Sequence, residues 1–202
     1  MKKLASNIFA MLVLGINLAL VLDYKQARIR RLLYLRNGAE GDFSCADLTG
    51  AQLARGNFIN ANFSGAVLIK ANLAEADFRY ANLSGANLAG ATMRGAIMYH
   101  AVLTNADLTL AVLNDATLAK TNLDGVDFTG AKLKQANLQE SSLKGANLEL
   151  ADLSMAQLNG ADLRNANFGD TDLSYADLSG ANLAGANLYG ANLTGTKGLQ
   201  VR

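Results

Sequence analysis

The sequence predicts an all-β solenoid in which the chain coils around a filled apolar axis, and three observations carry that prediction. From residue 41 to residue 195 the chain repeats every five residues, 31 times, with no insertion to shift the phase. Every position ending in 3 or 8 in that span is Leu, Phe or Met, and Ala stands two residues before it in 25 of the 31 repeats. A helix cannot produce this pattern, because at 100° per residue a period of five carries the apolar positions around every face. Two inward positions separated by one outward residue are a minimal strand. Three residues then separate each centre from the next Ala, so the chain has to turn once per repeat. Self-similarity at a fixed short period means a one-dimensional stack and not a compact domain.

Two segments precede the repeats. Residues 4–22 are almost wholly apolar, close to the ~20 residues that span a bilayer core, and are expected to form a transmembrane helix. Lys2 and Lys3 ahead of an apolar run also suit a cleaved signal peptide, which would leave the protein exported or lumenal. Val21, Leu22, Asp23 and Tyr24 offer no small-x-small cleavage site, which favours the single-pass helix over cleavage. A helix buried against protein is the third reading. Lys25, Arg28, Arg30, Arg31 and Arg36 follow the run, against Lys2 and Lys3 before it, so the positive-inside rule places the repeats on the cytoplasmic side. An N-in signal anchor would place them on the other.

Residues 23–38 read as a basic amphipathic helix with Ile29, Leu32 and Leu33 at helical spacing and Asn37-Gly38 as a stop signal. Such a helix could cap the first coil, whose backbone edge would otherwise invite association, or rest on anionic headgroups. The tail, residues 196–202, is too short to build a substantial cap, so the last coil is expected to stay partly exposed or to meet a partner or a second copy.

Runs such as ADLSGANLAGANLYGANL from Ala176 resemble the pentapeptide-repeat family, whose motif is A(D/N)LxG, over about three quarters of the chain. The resemblance implies a right-handed quadrilateral β-helix with four repeats per coil and the Ala and centre side chains inside. The 31 repeats would then make about 8 coils, a rod about 37 Å long at ~4.8 Å per strand. The resemblance also raises nucleic-acid mimicry, since some members imitate a DNA duplex and act on DNA gyrase.

Composition and motifs argue against chemistry. Half the residues are apolar, 17% are charged, and the formal charge is +1, which fits neither a disordered chain nor a strongly basic nucleic-acid binder. Cys45 is the only cysteine and His100 the only histidine, so no intrachain disulfide can form and a His-based metal cluster or a Ser/His/Asp triad has no histidine beyond His100 to draw on. Nine aspartates directly precede a centre: Asp42, Asp47, Asp77, Asp107, Asp127, Asp152, Asp162, Asp172 and Asp177. Asn fills the same slot at Asn82, Asn87, Asn182 and Asn187, so these residues are expected to bond the local backbone rather than act as acids or hold calcium. Glycines such as Gly85, Gly90 and Gly95 recur two residues after a centre and read as corners, not as a phosphate cradle. No enzyme, cofactor or metal site is expected.

Function therefore has to lie in the exceptions at outward positions. With the motif aspartates set aside, the variable positions hold Glu75, Asp115, Asp124, Glu140, Glu149 and Asp170 against eight Lys or Arg, which argues against a nucleic-acid mimic. In a 20-residue coil, Ile59, Arg79 and Tyr99 share one column and Tyr80 stacks on His100, with Ile97 and Val102 beside them. These seven residues are the candidate partner patch. Val67, Ile69, Leu110 and Leu150 are outward on a neighbouring face. The expected function is a membrane-anchored, non-enzymatic scaffold for protein partners, the alternative being a DNA-mimic regulator of a DNA-binding protein.

Overall fold

The computed structural model describes residues 37–199. The expected transmembrane helix, residues 4–22, and nearly all of the expected capping helix, residues 23–38, lie outside the described residues. Among the described residues no helix is long and apolar enough to cross a membrane. The regular coil begins earlier than residue 41: Asn37 bridges Asn57, and Gly38 donates its N–H to Asn57 O at 2.7 Å. Asn37 and Gly38 thus belong to a repeat, with buried Gly38 in the centre slot.

Each residue before a centre pairs in parallel with the residue 20 further on, in 29 bridges running without a gap from Asn37↔Asn57 to Asp177↔Lys197. A 20-residue step is four repeats, so each coil has four sides. We number the faces by the repeats that build them: the first from 41–45, the second from 46–50, the third from 51–55 and the fourth from 56–60, each recurring every 20 residues.

One repeat shows why this sequence takes this shape. Ala61 N–H closes the corner on Phe58 O at 3.0 Å, and Asn62 N–H reaches back one coil to Gly41 O at 2.8 Å. Phe63 and Gly65 N–H reach forward one coil to Asn82 O at 2.7 Å and Ser84 O at 2.9 Å. The fifth donor, Ser64 N–H, is taken by Asn62 Oδ1 at 3.1 Å. All five N–H groups are therefore satisfied when Asn or Asp precedes the centre, which explains the motif; where Lys132 and Ser142 stand instead, Asn114 and Asp124 of the preceding coil accept from Lys134 and Lys144 N–H.

The residue two after each centre has positive φ throughout, whether glycine or not; Tyr80 and Leu110 hold φ of 60° and 57°. A side chain there costs roughly 1–2 kcal/mol, hence the frequency of glycine. Gly195 has a second reason, because a Cβ there would come within 2.6 Å of Tyr175 Cδ1.

The axis is filled as the pattern requires. Every centre from Leu53 to Leu178 is fully buried, each contributing about 1.5–3 kcal/mol. Phe43, Phe58, Phe63 and Phe78 form one aromatic cluster, with Phe43–Phe63 at 5.0 Å and Phe58–Phe78 at 4.9 Å between ring centroids. At the other end Leu183, Leu188 and Leu193 are only half-buried. Three polar residues take the Ala slot and stay buried because their hydroxyls bond carbonyls: Thr121 to Met98 O at 2.8 Å, Ser141 to Leu138 O at 2.6 Å and Thr171 to Leu148 O at 2.6 Å.

Candidate functional site

Six of the seven patch residues fall on the fourth face and the corner that leads from it to the first, and Val102 lies on the first face just past that corner. Tyr80, His100, Lys120 and Glu140 succeed one another along that corner, one per coil. The Tyr80 and His100 rings stack with centroids 5.5 Å apart and planes 15° apart. Tyr99 meets His100 edge-on at 4.2 Å. Tyr80 is 56% exposed, and Ile97 and Val102 are exposed on either side of the corner. Tyr99 and Ile59 are half-buried.

The cations beside the rings are already engaged. Arg79 Nη2 lies 2.7 Å from Asp77 Oδ2 and its Nε 2.9 Å from Asp77 Oδ1, which raises the guanidinium's affinity for its proton. Burial pushes the Asp77 carboxyl up, but the hydrogen bonds and charge of Arg79 outweigh it and hold the carboxyl below its ordinary value. Lys120 lies 3.5 Å from Glu140, and Glu140 first, then Tyr99, raise its pKa. The patch is thus aromatic and aliphatic with its charges balanced, the make-up of a protein interface core more than of a phosphate site.

The backbone beneath it is unusual. Thr92, Ile97, Val102, Val112 and Thr117 stand where most repeats carry Asn or Asp, in five of six consecutive repeats. Asp107 alone keeps the cap, to Thr109 N–H at 3.0 Å. Tyr99 N–H therefore has no protein acceptor among the described residues. From Glu40 to Tyr175, each residue two after a centre donates its N–H to the next coil except His100. The rings sit where the coil-to-coil bonding is least complete. The run of β-branched residues was visible in the sequence; the missing bond at His100 had no signal there.

Other candidate chemistry resolves into structure. Asp107 bridges Asp127 and Asp152 bridges Asp172, as the coil arithmetic expects. Their carboxylates accept N–H bonds from Thr109, Thr129, Ser154 and Ser174 at 2.9–3.0 Å. Among the described residues no group of His, Cys, Asp and Glu could hold a metal ion. Leu110 and Leu150 are exposed as expected, while Val67 and Ile69 are half-buried. Sequence reasoning passed over Met155, Tyr175 and Tyr189, exposed by 47%, 60% and 83%. The same outward-position arithmetic would have found them.

Grouping residues by face also changes the charge picture. The second face carries Asp47, Asp107, Asp127, Glu149 and Asp170 against Lys70 alone. Counting only variable positions hides this acidic stripe, because three of its five carboxylates are motif aspartates.

Comparison with known proteins agrees with the fold. A model of pentapeptide repeats matches in eight copies over residues 42–79, 57–95, 71–109, 96–135, 131–170 and 161–197. No curated protein matches the sequence. The solved structure of QnrB1, a plasmid-mediated fluoroquinolone resistance protein, is 24% identical over 80% of this chain and 85% of its own, with a TM-score of 0.70. At that identity the likeness shows the fold alone. HetL, a pentapeptide repeat protein involved in heterocyst differentiation regulation from the cyanobacterium Nostoc sp. strain PCC 7120, is 33% identical over 79% of this chain and 88% of its own, with a TM-score of 0.31. The five-residue period, the four-sided coil and the family match over most of the length lead to one conclusion: the chain belongs to the pentapeptide-repeat family, whose members form right-handed quadrilateral β-helices.

Proposed function

We propose that this protein is a non-enzymatic scaffold, tethered to a membrane by residues 4–22 with its repeats on the cytoplasmic side, that binds a protein partner at Ile59, Arg79, Tyr80, Ile97, Tyr99, His100 and Val102. One observation carries the binding reading: Tyr80, Tyr99 and His100 make ring contacts at the surface of a rigid coil, flanked by exposed Ile97 and Val102. Aromatic groups already ordered by their neighbours lose little entropy on binding, which is how anchors at interfaces gain affinity. Support for the tether comes from the sequence, in the length of the apolar run and the basic residues after it.

The test is photo-crosslinking from positions 80 and 99 in native membranes, with position 179 on the same face as control. A discrete protein adduct shared by 80 and 99 and absent from 179 is expected. Equal labelling from all three would remove the patch from consideration.

A nucleic-acid mimic is the second reading, and the acidic second face favours it. It predicts that the partner is released by duplex DNA with a steep salt dependence. Under it, neutralising Asp107 and Asp127 would weaken capture more than changing Tyr80 and Tyr99.

A further inference from the structure

The third face treats its charges in two ways. In its first half they pair within the chain, Arg55 with Glu75 at 2.9 Å and Arg94 with Asp115 at 3.1 Å. In its second half Lys132 and Lys134 share one strand, and Asp152 and Asp172 stand on the next two in the column of Lys132. Among the described residues none of these four comes within 4 Å of an opposite charge, although the Lys134 charge reaches the Asp172 carboxyl, whereas Lys144 and Arg164 on the first face and Lys120 on the fourth all make close ion pairs.

The corners beside these strands carry four exposed apolar side chains, interspersed with Gly130 and Asp170 on one side and Asp115 and Gln135 on the other. Leu110 and Leu150 on one side are 69% and 60% exposed, and Met155 and Tyr175 on the other are 47% and 60% exposed. Leu150 and Met155 stand at the two ends of a single strand, with φ of 59° and 61°. Large apolar side chains at left-handed positions are unfavourable both in backbone and in solvent exposure, unless something covers them.

We propose that this half-face binds a second copy of the chain, antiparallel, about a two-fold axis that runs along the strands between residues 131–135 and 151–155. That rotation keeps each column in place and reverses the rod direction. Lys132 then lies opposite Asp152 of the second copy, with its Asp172 one coil away, and Asp152 lies opposite its Lys132. Leu150 falls on Gly130 of the second copy, where Leu110 Cδ2 leans so close that a Cβ on the glycine would be 2.9 Å away, so aliphatic surface meets aliphatic surface. Rotation about the rod axis instead sets Lys132 against Lys134, and like charges exclude it. The contact is isologous, as two-fold interfaces are. It spans four coils, roughly 19 Å, so it gives a weak, salt-sensitive dimer and not an obligate one. This inference goes beyond the partner patch and does not depend on it.

Sedimentation velocity of the full chain in density-matched detergent, over a hundredfold range of concentration, tests it. The mass is expected to rise toward a dimer, with Lys132→Glu weakening association at least tenfold and 0.5 M salt weakening it likewise. Lys132→Glu combined with Asp152→Lys is expected to restore association to within about threefold. Asp152→Asn, which keeps the cap to Ser154, should weaken it without disturbing the fold, as circular dichroism would show. A monomer throughout, association indifferent to these reversals, or failure of the double reversal to restore it would overturn the proposal.

Discussion

The coil that bears the aromatic patch and the coils at the C-terminal end achieve stability in opposite ways. Around residues 91–120 every centre is fully buried, yet five of six repeats have no Asn or Asp to cap the backbone. From Asp162 to Asn192 all seven repeats carry the cap, with side-chain oxygens 2.9–3.4 Å from the N–H groups of Arg164, Gly169, Ser174, Ser179, Ala184, Tyr189 and Thr194. Yet the centres Leu183, Leu188 and Leu193 are only half-buried. Caps are present at the three half-buried centres of the end and sparse across residues 91–120, while Leu163 to Leu178 have both caps and full burial. Mid-stack, neighbouring coils hold the backbone in place, so the capping position is free to carry Ile97 and Val102 and present them to a partner.

A charge at a centre should therefore do most harm mid-stack. Leu113→Asp puts a carboxylate on a fully buried site between two coils, a penalty of several kcal/mol, and each coil depends on its neighbours. Loss of the single cooperative transition in circular dichroism is expected. Leu188→Asp, at a half-buried centre, should keep a cooperative transition at a lower Tm. If Leu113→Asp melts like the parent, that centre does not face inward.

Capping gives a smaller and two-signed contrast. Asn187→Val removes the cap on Tyr189 N–H at 3.1 Å and the bond from Asn187 Nδ2 to Asn167 Oδ1 at 2.8 Å, and should cost about 1–2 kcal/mol. Ile97→Asn gives Tyr99 N–H the acceptor that other repeats supply and should stabilise by about 0.5–1 kcal/mol. It would also weaken crosslinking from position 99, because an apolar contact is lost. Chemical denaturation of both variants checks the signs; a destabilised Ile97→Asn would mean that the uncapped N–H is not what distinguishes this coil.

These contrasts also mark how far the sequence was legible. Period and inward columns could be read because every centre obeys one rule, and Tyr80 falls on His100 once a coil is known to be 20 residues. The aspartates could be assigned to the backbone because Asn replaces them. The buried hydroxyls of Thr121, Ser141 and Thr171 were marked only as departures from Ala, and which carbonyl each bonds depends on the corner geometry. The gap in bonding at His100 was not legible at all, since the non-glycine residues at neighbouring corners, Tyr80 and Lys120, do make the bond that His100 lacks. Charge was misleading when counted by motif position, because faces, not repeats, are what a partner meets.

The smallest effect concerns acid. Hydrogen bonds from Arg164, its charge and that of Lys144 outweigh burial and lower the Asp162 carboxyl to about 2. Asp172 is held below its ordinary value first by Ser174 N–H, and Asp177 by Ser179. A carboxyl whose folded pKa lies below its unfolded value of about 3.9 contributes stability that is in place above that value and is lost as pH falls through the folded one. The capped end should accordingly lose stability between pH 4 and pH 2, while the uncapped coil, with fewer carboxylates, contributes less to the loss. Asp162→Asn keeps the cap on Arg164 N–H but removes the charge, so at pH 7 it should cost at most about 1 kcal/mol, as exposed ion pairs do. The Tm difference between parent and variant should shrink steadily from pH 4 to pH 2 and vanish only below the folded pKa. A difference that stays constant from pH 5 to pH 2 would assign the effect to the shape of the side chain and not to its charge.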